Sequence, residues 1–225
     1  MANNPIVNMF RVKEIRSRIF FTLIVLAVFR LGSVLTIPGI NPEALTSYFG
    51  SVTNGSNSFV DYMDFFAGGA FSNFSVFMLG VMPYISTQII LQLALIIFPG
   101  LKRIAQEDGG QKKIQSWTRI GTVFVCLIQS LAATVYASNI PGAIVISNNF
   151  LFKMIAMISV TTGTMVTIWL GEQITARGIG NGISMLIFAG IVARLPSAVW
   201  ELGRMVSEDM SKLVSVIVVL IMFVG

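Results

Sequence analysis

Long stretches without a charged residue constrain this chain more than any other feature of its sequence. Asp, Glu, Lys and Arg are absent from 65–101, 120–152, 154–171, 178–193 and 213–225. Charged residues make up 11% of the 225 residues, whereas an ordinary soluble domain has roughly 25%. The hydrophobic content is 55% and the mean hydropathy is +0.81. A soluble domain, a disordered chain, a coiled coil and a disulfide-stapled secreted domain are therefore disfavoured.

These uncharged stretches are long enough to cross a membrane, because a hydrocarbon core about 30 Å thick requires about 20 mostly apolar residues as an α-helix. The apolar runs are continuous rather than alternating, which favours helices over the strands of a β-barrel. The sequence therefore predicts an all-α, polytopic helical membrane protein. The predicted spans lie near 19–38, 76–98, 116–137, 151–171 and 182–200, and a sixth starts at about 212.

The predicted spans divide the chain into three parts. The polar and basic segment 1–18 lacks a signal-peptide cleavage pattern, so it is expected to stay ahead of the first span. Residues 19–211 hold the first five spans, a short apolar segment 59–75 and a polar loop 99–115. The uncharged end gives only about 20 Å of helix at 1.5 Å per residue. Residues 212–225 are therefore expected to be the start of a span that the chain does not complete.

Lys and Arg are distributed unequally between the two sides of the predicted membrane. Ten lie in the N-terminal segment and in the loops 102–119 and 172–181, whereas three lie in 194–212 on the other side. Basic residues accumulate in cytoplasmic loops. The sequence thus predicts a cytoplasmic N-terminus, and the net charge of +5 is attributed to membrane orientation rather than to nucleic-acid binding.

Several chemistries are excluded or disfavoured. The chain has no histidine and a single cysteine, Cys126, so His-based catalysis, His metal sites and an internal disulfide are excluded within it. The Gly-rich run 178–182 follows an apolar helix and lacks the Lys-Ser/Thr ending of a phosphate loop. No cofactor, no metal and no enzymatic activity are expected, although Ser or Cys126 chemistry stays open.

Two features break the pattern of simple spans. The segment 59–75 is apolar, short and interrupted by glycines, which fits either a re-entrant helix beside a cavity or an interfacial helix on the surface. Arg30 lies inside the first span, where it faces either the bundle interior or snorkels to the interface. Both pairs of alternatives remain open at this point.

Polar and conformationally special residues mark two further places. Pro83 is expected to interrupt the second span, whose polar side chains are either ordinary interhelical contacts or parts of a site. A tight turn is expected after Arg177, with Asn181-Gly182 adopting positive φ. Val81 and Ile85, and likewise Ile183 and Ile187, lie one helical turn apart.

Several short motifs, taken together and in order, resemble the SecY family of protein-conducting channels, in particular its bacterial members. The resemblance extends over nearly the whole chain. It is carried by Arg30, Ile37-Pro38-Gly39-Ile40, Gly68-Gly69-Ala70, Leu79-Gly80-Val81-Met82-Pro83-Tyr84-Ile85-Ser86, Lys112-Lys113-Ile114, Trp117-Thr118-Arg119 and the run from Gly171-Glu172-Gln173 to Gly182-Ile183-Ser184.

The resemblance implies a half-channel, with an hourglass pore formed by two pseudo-symmetric halves of a ten-helix protein. An apolar pore ring, a re-entrant plug helix and a lateral gate that opens towards lipid are then expected. Val81 stands where isoleucine is expected and keeps the ring apolar. The implied residues are Val81, Ile85, Ile183 and Ile187 in the ring, Phe66, Gly68 and Gly69 in the plug, and Ser86, Gln92 and Gln129 at the gate.

The resemblance also implies a location and partners. The chain would lie in the inner (plasma) membrane with SecE and SecG subunits, and would pass secretory polypeptides and release signal helices into lipid. Lys112, Lys113 and Arg177 would contact a SecA motor or a translating ribosome. The alternative is a secondary transporter with a broken helix at 59–75. No carboxylate lies at the centre of any predicted span, and this absence argues against a transporter.

Overall fold

The computed structural model describes residues 12–53, 64, 67–146 and 148–208, and all of its regular elements in these ranges are helices. Two isolated β-bridges, Thr36 to Ser75 and Ile40 to Ile144, join loops at one end of the bundle. The predicted start of a sixth span lies outside the described residues. The helices are α1 (Lys13–Val34), α2 (Pro42–Thr53), α3 (Met82–Ile97), α4 (Pro99–Gln106), α5 (Gly110–Ser138), α6 (Asn149–Arg177), α7 (Gly182–Val192) and α8 (Leu195–Glu208).

Three of these helices, α1, α5 and α6, are long and apolar enough to cross a membrane. Helices α3 and α4 together form a fourth candidate that is bent by 106°, and α7 is a shorter apolar helix. The bend lies at Pro99, which has no N–H to continue α3, and the preceding Phe98 is extended. Large apolar side chains face outward, among them Leu31, Ile96 and Phe124, as expected where lipid is the solvent.

Helix α6 lies at the centre of the bundle and packs against α5, α1 and α7. Small residues on the buried face of α5 let this helix approach α6 closely. Their hydroxyl groups donate to carbonyl oxygens of α5 itself, for example Thr122 to Thr118 O at 2.7 Å. The hydroxyl groups are therefore satisfied inside the membrane. The small residues on the buried face of α5 recur at every fourth position, at Thr118, Thr122, Cys126, Ser130 and Thr134.

Two sequence-based expectations about proline and helix length are wrong. Pro83 does not interrupt a span, because it lies in the first turn of α3, where its missing N–H would have no intrahelical partner anyway. The helix that begins the predicted span 182–200 ends at Val192, and α8 follows from Leu195. Pro196, in the first turn of α8, explains this break, because a continuous helix would need its N–H.

The expected positive φ at Asn181-Gly182 is also wrong, because it occurs one residue earlier, at Gly180 with φ of +71°. Asn181 is extended instead and is the N-cap residue of α7. Its side-chain oxygen accepts hydrogen bonds from the N–H groups of Ile183 and Ser184, at 3.0 and 3.4 Å. An N-cap of this kind requires an extended backbone rather than a left-handed one.

Candidate functional site

The four apolar residues Val81, Ile85, Ile183 and Ile187 belong to one hydrophobic cluster. Val81 is 6% exposed, and the three isoleucines are half-buried against the cluster. The first turns of α3 and α7 therefore contribute to the same apolar cluster. The fully buried members of the cluster come from four parts of the chain and are Val25, Phe29, Phe77, Val81, Leu170, Ile174 and Leu186.

Local backbone structure positions each pair within this cluster. Val81 is the N-cap residue of α3, and its carbonyl accepts the N–H of Ile85 at 3.1 Å, so the two lie one turn apart. The Asn181 cap sets the start of α7 and thereby places Ile183 and Ile187 in its first two turns. Both pairs thus lie at helix starts, which the Asn181 cap marks in α7 and Pro83 in the first turn marks in α3.

Glycines allow α7 to begin directly against the end of α6. A Cβ on Gly182 would lie 1.8 Å from the carbonyl oxygen of Gly171, and a Cβ on Gly171 would lie 2.7 Å from Ile183 Cδ1. The N–H of Gly182 donates to Thr175 Oγ1 at 2.9 Å. The Gly-rich run between α6 and α7 therefore acts as a close-packed turn that carries Ile183 into the cluster.

The residues before α3, which we name the turn segment (67–81), form consecutive hydrogen-bonded turns instead of a helix. Gly68 and Gly69 have φ of +64° and +90°, which interrupts any helix there. A Cβ on Gly68 would lie 2.9 Å from Gly190 Cα in α7. Ala67, Gly68 and Ala70 are buried, so this part of 59–75 packs within the protein, as the re-entrant alternative requires. Phe66 lies outside the described residues.

Charged side chains contact the turn segment from α1 and from the break after α7. Arg30 of α1 donates from Nη1 to the carbonyl oxygen of Gly68 at 2.6 Å, so it is directed at this segment. Asp64 is buried and forms an ion pair with Arg194, just after α7. Asp64 and Arg194 were not among the residues singled out from the sequence. The signal that could have identified Asp64 is its place as the last carboxylate before a 37-residue stretch without charge, 65–101.

The three expected gate residues do not form one hydrogen-bonded group. Ser86 and Gln92 lie on α3, half-buried and exposed respectively, and Gln129 lies half-buried on α5. No hydrogen bond within the described part of the chain joins Gln129 to Ser86 or Gln92. The buried Oε1 atom of Gln129 accepts no hydrogen bond from the described residues.

The expected cytoplasmic contacts lie at one end of the bundle. Lys112 and Lys113 are exposed in the first turn of α5, and Arg177 is exposed at the end of α6. The antiparallel helices are joined near this end by a bidentate pair, in which Arg119 Nε and Nη2 donate to Glu172 Oε1 and Oε2 at 2.9 and 2.8 Å. The structure thus brings all three cations to the same end.

The helices and the apolar cluster define a multi-pass helical membrane protein. The first turns of its α3 and α7 share one apolar cluster with part of the turn segment. The family model described as SecY matches residues 75–225. The chain therefore belongs to the SecY family, whose members are channel proteins rather than enzymes.

Curated relatives support the same family. The chain is 45% identical over 214 residues to the protein translocase subunit SecY of Borreliella burgdorferi, covering 95% of this chain and 49% of that protein. It is 44% identical over 189 residues to the protein translocase subunit SecY of Escherichia coli strain K12, covering 83% and 42% respectively. The chain thus spans about half the length of the curated relatives that it matches.

Solved structures agree at the level of the fold. A structure described as a protein conducting channel matches 95% of this chain and 48% of its own, with a TM-score of 0.59 and 20% identity. Sec61 in the canine ribosome-channel complex from the endoplasmic reticulum matches 95% and 48%, with a TM-score of 0.60 and 19% identity.

Proposed function

We propose that this chain forms one half of a channel that passes unfolded polypeptides across a membrane and releases apolar helices sideways into lipid. The observation that carries the proposal is that Val81, Ile85, Ile183 and Ile187 all belong to one apolar cluster. Membership of the SecY family supports it as well.

The proposed mechanism follows from the chemistry of an apolar constriction. A narrow ring of aliphatic side chains excludes water and ions when empty. The same side chains offer no specific ligand, so a polypeptide of any sequence can move past them. In the proposal the turn segment, with Gly68, Gly69 and the undescribed Phe66, closes one side of this ring as a plug.

Sideways release requires a seam that opens at low cost. We assign Ser86, Gln92 and Gln129 to such a lateral gate. Polar contacts between membrane helices contribute about 0.6 kcal/mol each on average. Burial of one apolar helix in lipid therefore outweighs the loss of a few such contacts, and a signal helix can open the gate.

We further propose the orientation and the partners of the channel. The excess of basic residues supports a cytoplasmic N-terminus in the inner (plasma) membrane. Lys112, Lys113 and Arg177 then face the cytoplasm, where a SecA motor or a translating ribosome would dock. SecE and SecG are the proposed companion subunits, and the relative seen in a ribosome-channel complex supports a ribosome as partner.

Site-specific photo-crosslinking tests the proposal. A photoreactive residue at position 85 or 183 of the complete channel should crosslink to a secretory polypeptide stalled during passage. The matched control is position 158, an isoleucine on α6 that is 60% exposed and is expected to contact lipid only. Equal crosslinking at all three positions, or none at 85 and 183, would contradict the proposed path of the polypeptide. Saturable binding of a small solute would instead favour the transporter alternative.

A further inference from the structure

The acidic residue Asp64 has an unusual environment for a membrane protein. Its side chain is 8% exposed and its carboxylate pairs with Arg194. Oδ1 accepts the backbone N–H of Ser72 at 2.9 Å, and Oδ2 accepts the Ser72 hydroxyl. A buried carboxylate is tolerated only with partners of this kind. Asp64 is therefore the acceptor of both Ser72 and Arg194, and its Oδ2 atom accepts from the Ser72 hydroxyl and from Arg194 Nη2.

Arg194 is well placed to hold this carboxylate. It lies in the short break between α7 and α8, where its N–H donates to Ile191 O at 3.1 Å. A cation at this point is favoured by the negative end of the α7 dipole. Its side chain is 33% exposed, so the guanidinium contacts Asp64 while part of it stays uncovered by the described residues.

The backbone around Asp64 links the pair to the turn segment. The carbonyl oxygen of Asp64 accepts the N–H of Gly69 at 3.0 Å. The neighbouring Gly68 packs against Gly190 of α7, and its carbonyl oxygen accepts a hydrogen bond from Arg30 of α1. The segment is thus held by Arg30 of α1 and, through Asp64 and Ser72, by Arg194 in the break after α7.

We propose that Asp64 and Arg194 are positioning residues that hold the turn segment closed against α7, and that the channel opens by breaking this ion pair. The proposal rests on the proposed channel function. A partly exposed ion pair suits a reversible closure, because both charges become hydrated when the segment leaves. Apolar side chains in place of this ion pair would not be hydrated when the segment leaves α7, so they would not favour its release in the same way.

The test compares resting ion conductance of the complete channel in planar bilayers. Asp64→Asn and Arg194→Gln should each raise it about tenfold. The double variant should rise no further than the larger single effect, because both changes remove one shared interaction. Glu14→Gln is the matched control, since it removes the acid of the exposed Glu14–Arg18 pair, and it should leave conductance unchanged.

A conservative variant separates the ion pair from a general packing defect. Arg194 Nη2 donates to Asp64 Oδ2, a contact that a single ammonium group can also make, so Arg194→Lys should stay within about twofold of the wild type. This variant also carries the test if Asp64→Asn does not assemble. The proposal would be overturned if Arg194→Lys conducts as much as Arg194→Gln. It would also be overturned if neither Asp64→Asn nor Arg194→Gln changes the conductance, or if their effects multiply in the double variant.

Polypeptide translocation by the same channels in vesicles distinguishes this proposal from the proposed function. The wild type and the leaky variants should all translocate a secretory polypeptide, because the ring remains intact. A wild type that translocates nothing would contradict the channel function itself. A wild type that translocates, with variants that do not leak, would contradict only the role of Asp64 and Arg194.

Discussion

At the scale of single residues, Gly68 meets two constraints that other residues cannot satisfy together. Its φ of +64° is strained for any residue with a Cβ. The added Cβ would also lie 2.9 Å from Gly190 Cα and 3.0 Å from Gly190 O. These neighbours are backbone atoms, which cannot rotate away, so the segment or α7 would have to move.

Gly68→Ala is therefore expected to raise resting ion conductance of the complete channel severalfold in planar bilayers, because the turn segment can no longer seat against α7. Gly109→Ala is the control, since Gly109 has φ of +83° and nothing within 4 Å of the added Cβ. It should lower stability by about 1–2 kcal/mol without a leak. Equal leaks in both variants would refute the importance of the Gly190 contact.

The apolar residues at the constriction lead to a second prediction at this scale. Ile85→Asn combined with Ile183→Asn should raise resting ion conductance, because amide groups allow water to enter the ring. Ile158→Asn on the exposed face of α6 tests whether any added amide has this effect. Conductance indistinguishable from the wild type in the double variant would remove Ile85 and Ile183 from the ring.

At the scale of helices, close approach at glycine is the main packing device of the bundle. A Cβ on Gly163 in α6 would lie 2.1 Å from the carbonyl oxygen of Val76. A Cβ on Gly32 in α1 would lie 2.0 Å from the ring of Phe77. Helices α1 and α6 thus both pack against the turn segment. A larger residue at Gly32 or Gly163 would move the corresponding helix away from it.

Gly163→Ala is expected to lower the free energy of unfolding by about 1–3 kcal/mol, the usual cost of overpacking. Gly203→Ala, in α8 with nothing within 4 Å, should instead raise it by up to about 1 kcal/mol, because alanine favours helix. Thermal unfolding of the detergent-solubilised channel measures both. A rise in the free energy of unfolding for both variants would show that helix propensity, not the Val76 contact, governs Gly163.

At the scale of the whole molecule, the sequence predicts what depends on local pattern and misses what depends on long-range pairing. Continuous apolar runs predict helical spans because a bilayer requires them. The spacing of Ile183 and Ile187 predicts a shared face because helical periodicity is local. Asp64 and Arg194 are 130 positions apart, and no local pattern joins them. Pro83 and Pro196 mark helix starts, but sequence alone does not distinguish a start from a kink.

The charge asymmetry of the molecule provides the last prediction, which concerns Lys112 and Lys113. Reversing both to Glu should weaken binding of the cytoplasmic partner severalfold, because two exposed cations of the proposed docking surface become anions. The control reverses Lys102 and Arg103, which lie in the same loop. The positive-inside rule counts basic residues per loop rather than by position, so both double variants should have the same effect on topology.

Partner affinity and topology must therefore be measured on the same variants, by binding to channel-containing vesicles and by protease access to the loop. Loss of affinity confined to the Lys112 and Lys113 variant, with equal topology in both, supports a docking role. Equal loss of affinity in the two variants, or a topological shift without any loss, would assign these lysines to membrane orientation alone. Because the two pairs carry the same charge in one loop, no difference in net charge can produce the distinction.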